Sequence, residues 1–358
     1  MLIVILRGYL VKKIKPSTII AIIQDPTSHH SIYFFLAYFG LLTILYHWNG
    51  FRLHLMCDDS TFRFFANPLS NMVDRNHEYF YGSILYIWLG HVLRIDSMLK
   101  LQIMTSALYF LAALGLYGLA KLHYPDDKRA TRFIAVIFSS IFFAILASWL
   151  GLSDPILFIL YLALFFTPRH HRLTYCLVIL MVLTHKEQTL FLVLCHSILA
   201  LFEKSQQKQL WFIWAGVLSG WGLSALYLHH FGFHITNSRI DLVMNYENTR
   251  PVLMSNLGKL LPRGLYSVYG AAWIFFFIVF QRAPRQKKLQ LIVVTVIPLG
   301  LALMTRDFIR VIGILSLPAL CFLADMNARN NYFSEIFSQE NNSGYWSGFY
   351  WLIIRMKW

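Results

Sequence analysis

Residues 153 to 188 read SDPILFILYLALFFTPRHHRLTYCLVILMVLTHKEQ. Two almost wholly apolar runs, 155–167 and 173–185, are separated by Arg169 and Arg172 and bounded by Asp154 and by His185-Lys186-Glu187. Apolar runs punctuated by charge in this way are the pattern of helices that cross a bilayer and turn back. Each run is shorter than the roughly 20 residues of a comfortable span, which draws the charged groups at its ends toward membrane depth. The composition agrees. The 358 residues are 57% hydrophobic, 16% aromatic and 13% charged, with mean hydropathy +0.54. Soluble domains carry about 25% charged residues, so this chain cannot cover an ordinary water-facing surface. The sequence predicts an all-α polytopic membrane protein.

Ten spans are expected, at about 31–48, 99–119, 133–150, 155–167, 173–185, 189–202, 210–228, 264–280, 289–304 and 308–324. Lys and Arg are translocated with difficulty, so basic loops mark the cytoplasmic side. Lys121 with Lys128, Arg129 and Arg132, then Arg169 with Arg172, Lys204 with Lys208, and Arg282 with Arg285, Lys287 and Lys288 alternate correctly if all four groups are inside. Segment 1–30, with Arg7, Lys12, Lys13 and Lys15 among Leu and Ile, then reads as a cytoplasmic interfacial amphipathic helix. It has no small-residue cleavage site, so a removable signal peptide is not expected. The transmembrane body is 31–324, with a first outer loop at 49–97. Within that loop the run from Tyr81 to Ile95 is too short to cross and carries His91 and Arg94. Counting it as a span would put Arg129 outside, so it is read as a helix on the outer surface. A cytoplasmic tail, 325–358, ends in an aromatic stretch from Tyr345 suited to the interface. Asn341-Asn342-Ser343 matches a glycosylation sequon but falls inside.

The formal net charge of +14, with pI near 9.6, would suggest a polyanion partner in a soluble chain. Here about 19 of the 31 basic residues fall inside and set orientation, while about 12 lie outside against the usual bias. No nucleic-acid partner is expected. Cys57, Cys176, Cys195 and Cys321 show no CxxC spacing, which argues against a disulfide framework or a zinc site.

The unusual polar residues gather on the outer side. Asp58-Asp59 follows the first span; neighbouring carboxylates raise one another's pKa, a cost tolerated where a proton, metal or cation is handled. A solvated loop with a capping Asp is the plainer account. Ser153-Asp154-Pro155 is ordinary helix-start punctuation, but the short run after it would recess Asp154. In the next outer turn, beside His185, Lys186 and Glu187 are either an ion pair snorkelling at the interface or a lysine held ready for phosphate by its glutamate. Arg306-Asp307-Phe308-Ile309-Arg310 places two arginines one helical turn apart, suited to an anion, with Asp307 able to orient one of them. Arg239, Arg250, Lys259 and Arg263 extend this outer cationic character, although contact with anionic lipid headgroups would account for it too.

In this order the features resemble the GT-C glycosyltransferases, in particular the group containing protein O-mannosyltransferases and the lipid A aminoarabinose transferase. The matching elements are Asp58-Asp59, the surface helix from Tyr81 to Ile95, the basic loop Lys121 to Arg132, Ser153-Asp154-Pro155, and the short pair of spans after it. They cover roughly residues 30 to 205, with a looser match at Arg306 to Arg310. The chain departs from the pattern at Asn76 to Gly82, where many relatives are Pro-rich, and in ending without a soluble outer domain. Its length suits the smaller bacterial members.

The resemblance implies a GT-C-like bundle and transfer of a sugar from a polyprenyl-phosphate carrier to a glycan, lipid or protein, with inversion, at the outer face of a bacterial cytoplasmic membrane. An endoplasmic reticulum location would preserve the topology. Asp59 or Asp58 would be the base, Asp154 would position acceptor or metal, and Lys186, Arg306 and Arg310 would bind the lipid phosphate. A divalent metal near Asp58 and Asp154 stays open. The absence of GxGxxG and Walker patterns fits a donor that is already in the membrane. A polysaccharide polymerase and a secondary transporter are the other readings. The Asp-Asp loop favours the transferase over the first, and the lack of internal repeats argues against the second.

Overall fold

The computed structural model describes residues 54–55, 62, 65–68, 83–124, 126–140, 149–150, 153–167, 170–203, 206–231, 246–260, 269–305, 308–330 and 332. In chain order the elements are β1 (His54–Leu55), α1 (Ile84–Val92), α2 (Met98–His123), α3 (Asp127–Ser139), β2 (Trp149–Leu150), α4 (Asp154–Phe166), α5 (His171–Thr184), α6 (Lys186–Leu201) and α7 (Gln207–His230). There follow α8 (Tyr246–Ser255), a π-helical turn (Asn256–Leu260), α9 (Ala272–Arg282), α10 (Arg285–Leu303), α11 (Phe308–Leu315) and α12 (Leu317–Asn330). The only strands among the described residues are β1 and β2, paired in parallel with Leu55 opposite Leu150. Two compact units result: Met1–Gly115 with Phe143–Thr249, and Leu116–Phe142 with Arg250–Trp358.

Three helices, α2, α7 and α10, are long and apolar enough to cross a membrane. Their polarity is inverted relative to a soluble protein. Helix α7 buries Gln209, Gly216, Gly220 and Ser224 while exposing Trp211 (82%), Leu218 (72%) and Leu226 (68%). Helix α10 buries Gln290 and Thr295 and exposes Leu289, Ile292 and Val296. In water such apolar stripes would be a severe liability; against lipid tails they carry no such cost. The described fold is an all-α membrane protein.

The first unit is built on α5 and α7. These run parallel, since Gln209 Nε2 donates to Thr174 Oγ1 (3.1 Å), Gly216 abuts Val178 and Gly220 abuts Val182. Small residues let two membrane helices approach closely enough for dispersion and interhelical hydrogen bonds to hold them. Tyr175 OH to Ser219 Oγ (2.8 Å) is a second such bond. In the second unit α3 packs on α12, where the Asp325 carboxylate accepts from Tyr124 OH (2.5 Å) and Arg329 Nε (2.7 Å). Burial, reinforced by Asp325, pushes the Tyr124 phenol upward, so it stays a donor.

Several expected boundaries move. The span at 133–150 is not one helix: α3 stops at Ser139, and Trp149–Leu150 is a strand. Ser139 and Ser140 hydroxyls bond back to Val136 O (2.7 Å) and Ile137 O (2.5 Å), and Ser140 is extended. Such back-bonding offers the chain an alternative to the helical ladder. Within the span at 264–280, α9 starts at Ala272, after Gly270 at φ 48°, a left-handed conformation that glycine tolerates; residues 264–268 lie outside the described residues. The run 308–324 divides at Ser316 into α11 and α12, just before Pro318, whose ring restricts the preceding residue. The tail does not begin at 325: α12 continues to Asn330, with Met326, Asn327 and Ala328 buried. Helix α1, expected at 81–95, has nine residues, about 13 Å at the usual rise, too short to cross. Segment 1–30, the span 31–48 and the aromatic stretch 345–358 lie outside the described residues.

Candidate functional site

One end of the first unit collects most of the described polar candidates. Ser153, the residue before α4, makes no capping bond; its hydroxyl donates instead to Thr184 O at the end of α5 (3.3 Å). The helix does start at this punctuation, with Asp154 in its first turn and Pro155 at its beginning. Asp154 is the first residue of α4 and is buried, at 3% exposure. Arg172 and Lys208 lie at the opposite ends, where α5 and α7 begin.

His185 ends α5 and starts α6. Its backbone N–H reaches Met181 O (2.9 Å), and extended dihedrals turn the chain sharply. The imidazole is buried and its Nδ1 has two claims on it. Gln188 N–H donates to it at 3.4 Å, and Glu187 Oε2 lies at 3.4 Å. One nitrogen serves only one of these at a time: unprotonated it accepts the amide, protonated it donates to the carboxylate. Burial works to raise the Glu187 carboxyl, but the His185 hydrogen bond and charge, then Lys186, outweigh it and hold it at about 2.

A carboxylate depressed from 4.5 to about 2 adds stability that is complete above the unfolded value and lost as pH falls through the folded one. Glu187→Gln should therefore lower the melting temperature at neutral pH, and the gap from wild type should close as pH falls from about 4.5 toward 2. A gap independent of pH in thermal melts would show that the carboxylate charge is not what counts.

Lys186 is freer. Among the described residues its only ionic partner is Glu187 at 3.9 Å, a longer separation than that between Glu187 and His185. The Lys186–Glu187 pair of the plainer account is thus present, and His185 shares the same carboxylate.

Described residues of the segment expected as the first outer loop are anchored at this same end. Phe65, Tyr86, Ile87, Ile95, Leu101, Met104 and Leu228 form a buried cluster, with Phe62 and Ile156 packed against it. His91 Nδ1 lies 2.8 Å from Phe65 O, and the Phe65 ring fills the space over Gly90 that any β-carbon would need. Chain 54–62 and chain 149–156 are therefore joined twice, by β1 with β2 and by Phe62 and Ile156 on one cluster. Asp154 falls between those anchors on its chain, and Asp58-Asp59 falls between them on the other. Asp58 and Asp59 themselves lie outside the described residues, as do Arg239, Arg263, Arg306 and Asp307.

Arg310 belongs to the second unit and is buried on α11, at 1% exposure. Arg250 is exposed. Two polar features escaped the sequence reading. Tyr161 OH lies 3.4 Å from His196 Nδ1 between α4 and α6, and the signal was there, a histidine inside an apolar run. Asn256 is buried and binds two distant carbonyls, which no local pattern announces. Among the described residues no three ligand-type side chains gather to hold a metal, and Cys176, Cys195 and Cys321 are free thiols.

Fold and site together define an all-α membrane protein with its buried acidic and basic groups concentrated at helix ends. No family model, curated protein or solved structure matches the chain.

Proposed function

We propose that this protein is a membrane glycosyltransferase of the GT-C type, moving a sugar from a polyprenyl-phosphate carrier to a glycan, lipid or protein hydroxyl at the outer face. The observation that supports the reading is that the described residues flanking Asp58-Asp59, Leu55 and Phe62, share a strand pair and a buried cluster with the chain around Asp154, whose Ser153 bonds to Thr184 next to the His185 to Glu187 turn. A bundle of about ten spans remains part of the proposal, with the third and tenth revised as above.

Asp59 or Asp58 takes the proton from the acceptor hydroxyl as its oxygen attacks the anomeric carbon. The bond from that carbon to the phosphate oxygen breaks, and the polyprenyl phosphate leaves with the bonding pair. One in-line displacement inverts the centre. Lys186 stabilises the charge growing on the leaving phosphate, an interaction strengthened where water is scarce. Asp154 orients the acceptor or contributes, with Asp58, to a divalent-metal site. The transfer as written needs only the chain's own carboxylates and cations. The bacterial inner membrane is the proposed location.

A secondary transporter is the second reading, favoured by the break at Ser316, since transporters bind substrate at interrupted helices. Purified protein in lipid nanodiscs, supplied with polyprenyl-phosphate-linked sugars and membrane extract as acceptor, separates the two. Release of polyprenyl phosphate with sugar appearing on acceptor is the expected result. Solute uptake by proteoliposomes, with no donor consumed, would favour the transporter.

A further inference from the structure

We propose that one end of the second unit is a binding surface for anionic phospholipid headgroups. Three stretches of chain meet there. Tyr124, between α2 and α3, donates its hydroxyl to Asp325 of α12 (2.5 Å). Arg282, the last residue of α9, donates through Nη1 to Tyr332 O just beyond α12 (3.3 Å), and Lys287, in the first turn of α10, lies 5.3 Å over the ring of Phe322. The start of α3, the turn from α9 to α10 and the last turns of α12 therefore form one end of the unit.

The charge of that end is one-sided. Its described carboxylates, Asp126, Asp127 and Asp325, each already have a cation: Arg129 at 3.8 Å, Lys121, and Arg329 at 2.7 Å. Beyond these pairs stand Lys128 and Arg285, both exposed and neither in an ion pair among the described residues, and the half-buried Lys287 and Lys288. The two lysines lie along aromatic rings, Lys287 over Phe322 and Lys288 over Phe280 (5.7 Å), and Lys288 Nζ donates to Gln281 O (3.0 Å). An apolar stem on a ring with the ammonium at its edge is how a lysine reaches the boundary of a bilayer.

Apolar surface runs up to these cations. Helix α10 is long and apolar enough to cross a membrane, and Leu289 and Ile292 on it are exposed, as is Phe277 on α9 (58%). A phosphodiester at Arg285, Lys288 and Lys128 would have its acyl chains against these side chains. A soluble polyanion would match the charge and leave the adjoining apolar surface uncovered. Orientation in the membrane is served by basic residues in any loop on the correct side. Their convergence from separate helices is what an anionic headgroup uses.

The full chain in dodecylmaltoside micelles is titrated with phosphatidylglycerol and with phosphatidylcholine of the same acyl chains, and bound lipid is counted by native mass spectrometry. A cation at the membrane surface contributes about fivefold in affinity for anionic lipid. Arg285→Gln and Lys288→Gln should each weaken phosphatidylglycerol binding by about that factor, and the triple variant with Lys128→Gln should lose most of the preference over phosphatidylcholine. Affinity for phosphatidylcholine should not change. The preference should narrow as salt is raised from about 0.1 M to about 1 M, because the screening length shrinks from about 10 Å to about 3 Å. Arg285→Lys, which keeps the charge, should keep the preference, and so should Lys100→Gln, at an exposed cation of the first unit. Equal affinity of the wild type for the two lipids, or a preference that survives in the triple variant, overturns the proposal. Displacement of phosphatidylglycerol by glycerol phosphate at similar concentration also overturns it, by making a soluble phosphate the ligand. Every readout is lipid binding, so the outcome is separate from the transferase reading.

Discussion

Replacing Asp58 and Asp59 together by asparagine is expected to lower sugar transfer by about 10²- to 10⁴-fold, the range supplied by a positioned general base. The amide keeps the size and much of the hydrogen bonding but cannot take the proton, so acceptor binding should survive while turnover is lost. The single variants distinguish the base from its neighbour: one should reproduce most of the loss, and the other should change it by much less. Asp154→Asn should act differently, because Asp154 lies at the start of α4, between Leu150 and Ile156, which anchor it to the first outer loop. Its loss should disturb acceptor placement, raising KM as well as lowering kcat; misplacement by about 1 Å can cost around 10²-fold. Unchanged turnover in the double aspartate variant would remove the base from the mechanism.

Gly220→Leu is expected to have the largest effect on folding. A β-carbon at Gly220 would lie 2.7 Å from Val182 Cβ, a branch point that cannot rotate away, and one at Gly216 would meet Tyr175 O at 3.0 Å. Overpacking of a core costs about 1–3 kcal/mol when the surroundings can yield. Here the whole α5 and α7 contact must open, and with it the bonds from Gln209 to Thr174 and from Tyr175 to Ser219. Folded protein recovered in mild detergent, measured by size-exclusion chromatography, should fall sharply. Gly222→Ala, on the same helix with nothing within 4 Å, is the control and should be neutral or slightly stabilising. Equal yields for the two variants would mean that α5 and α7 do not pack through this glycine pair.

The helices α2, α4, α5, α6, α7 and α10 could be read from the sequence because hydropathy sums a transfer energy along the chain, and these segments are apolar throughout. Their ends could be read where charge interrupts them. The stop at Ser139 could not, since it depends on two hydroxyls taking carbonyls from the helix that precedes them. Ser316 and the extension to Asn330 were hidden for a related reason: Asp325 looks like the start of a polar tail until Tyr124 and Arg329 are brought to it. At the site, the residue types were visible, and the charge alternation put Asp154 and the His185 to Glu187 turn at one end of their helices. Which of them meet was not. Phe62 and Ile156 pack on one cluster although 94 residues separate them, and Ser153 reaches Thr184 instead of capping its own helix.

The most direct measurement is a double-variant cycle on the two acidic segments, following polyprenyl phosphate released from a lipid-linked sugar in nanodiscs. Groups that serve one transition state do not contribute independently, so Asp59→Asn and Asp154→Asn together should cost much less than the product of their separate losses. Multiplicative losses would show that the two carboxylates act independently and not on one transition state. Release that is absent from wild type with every donor, or indifferent to both substitutions, would contradict the account at its centre.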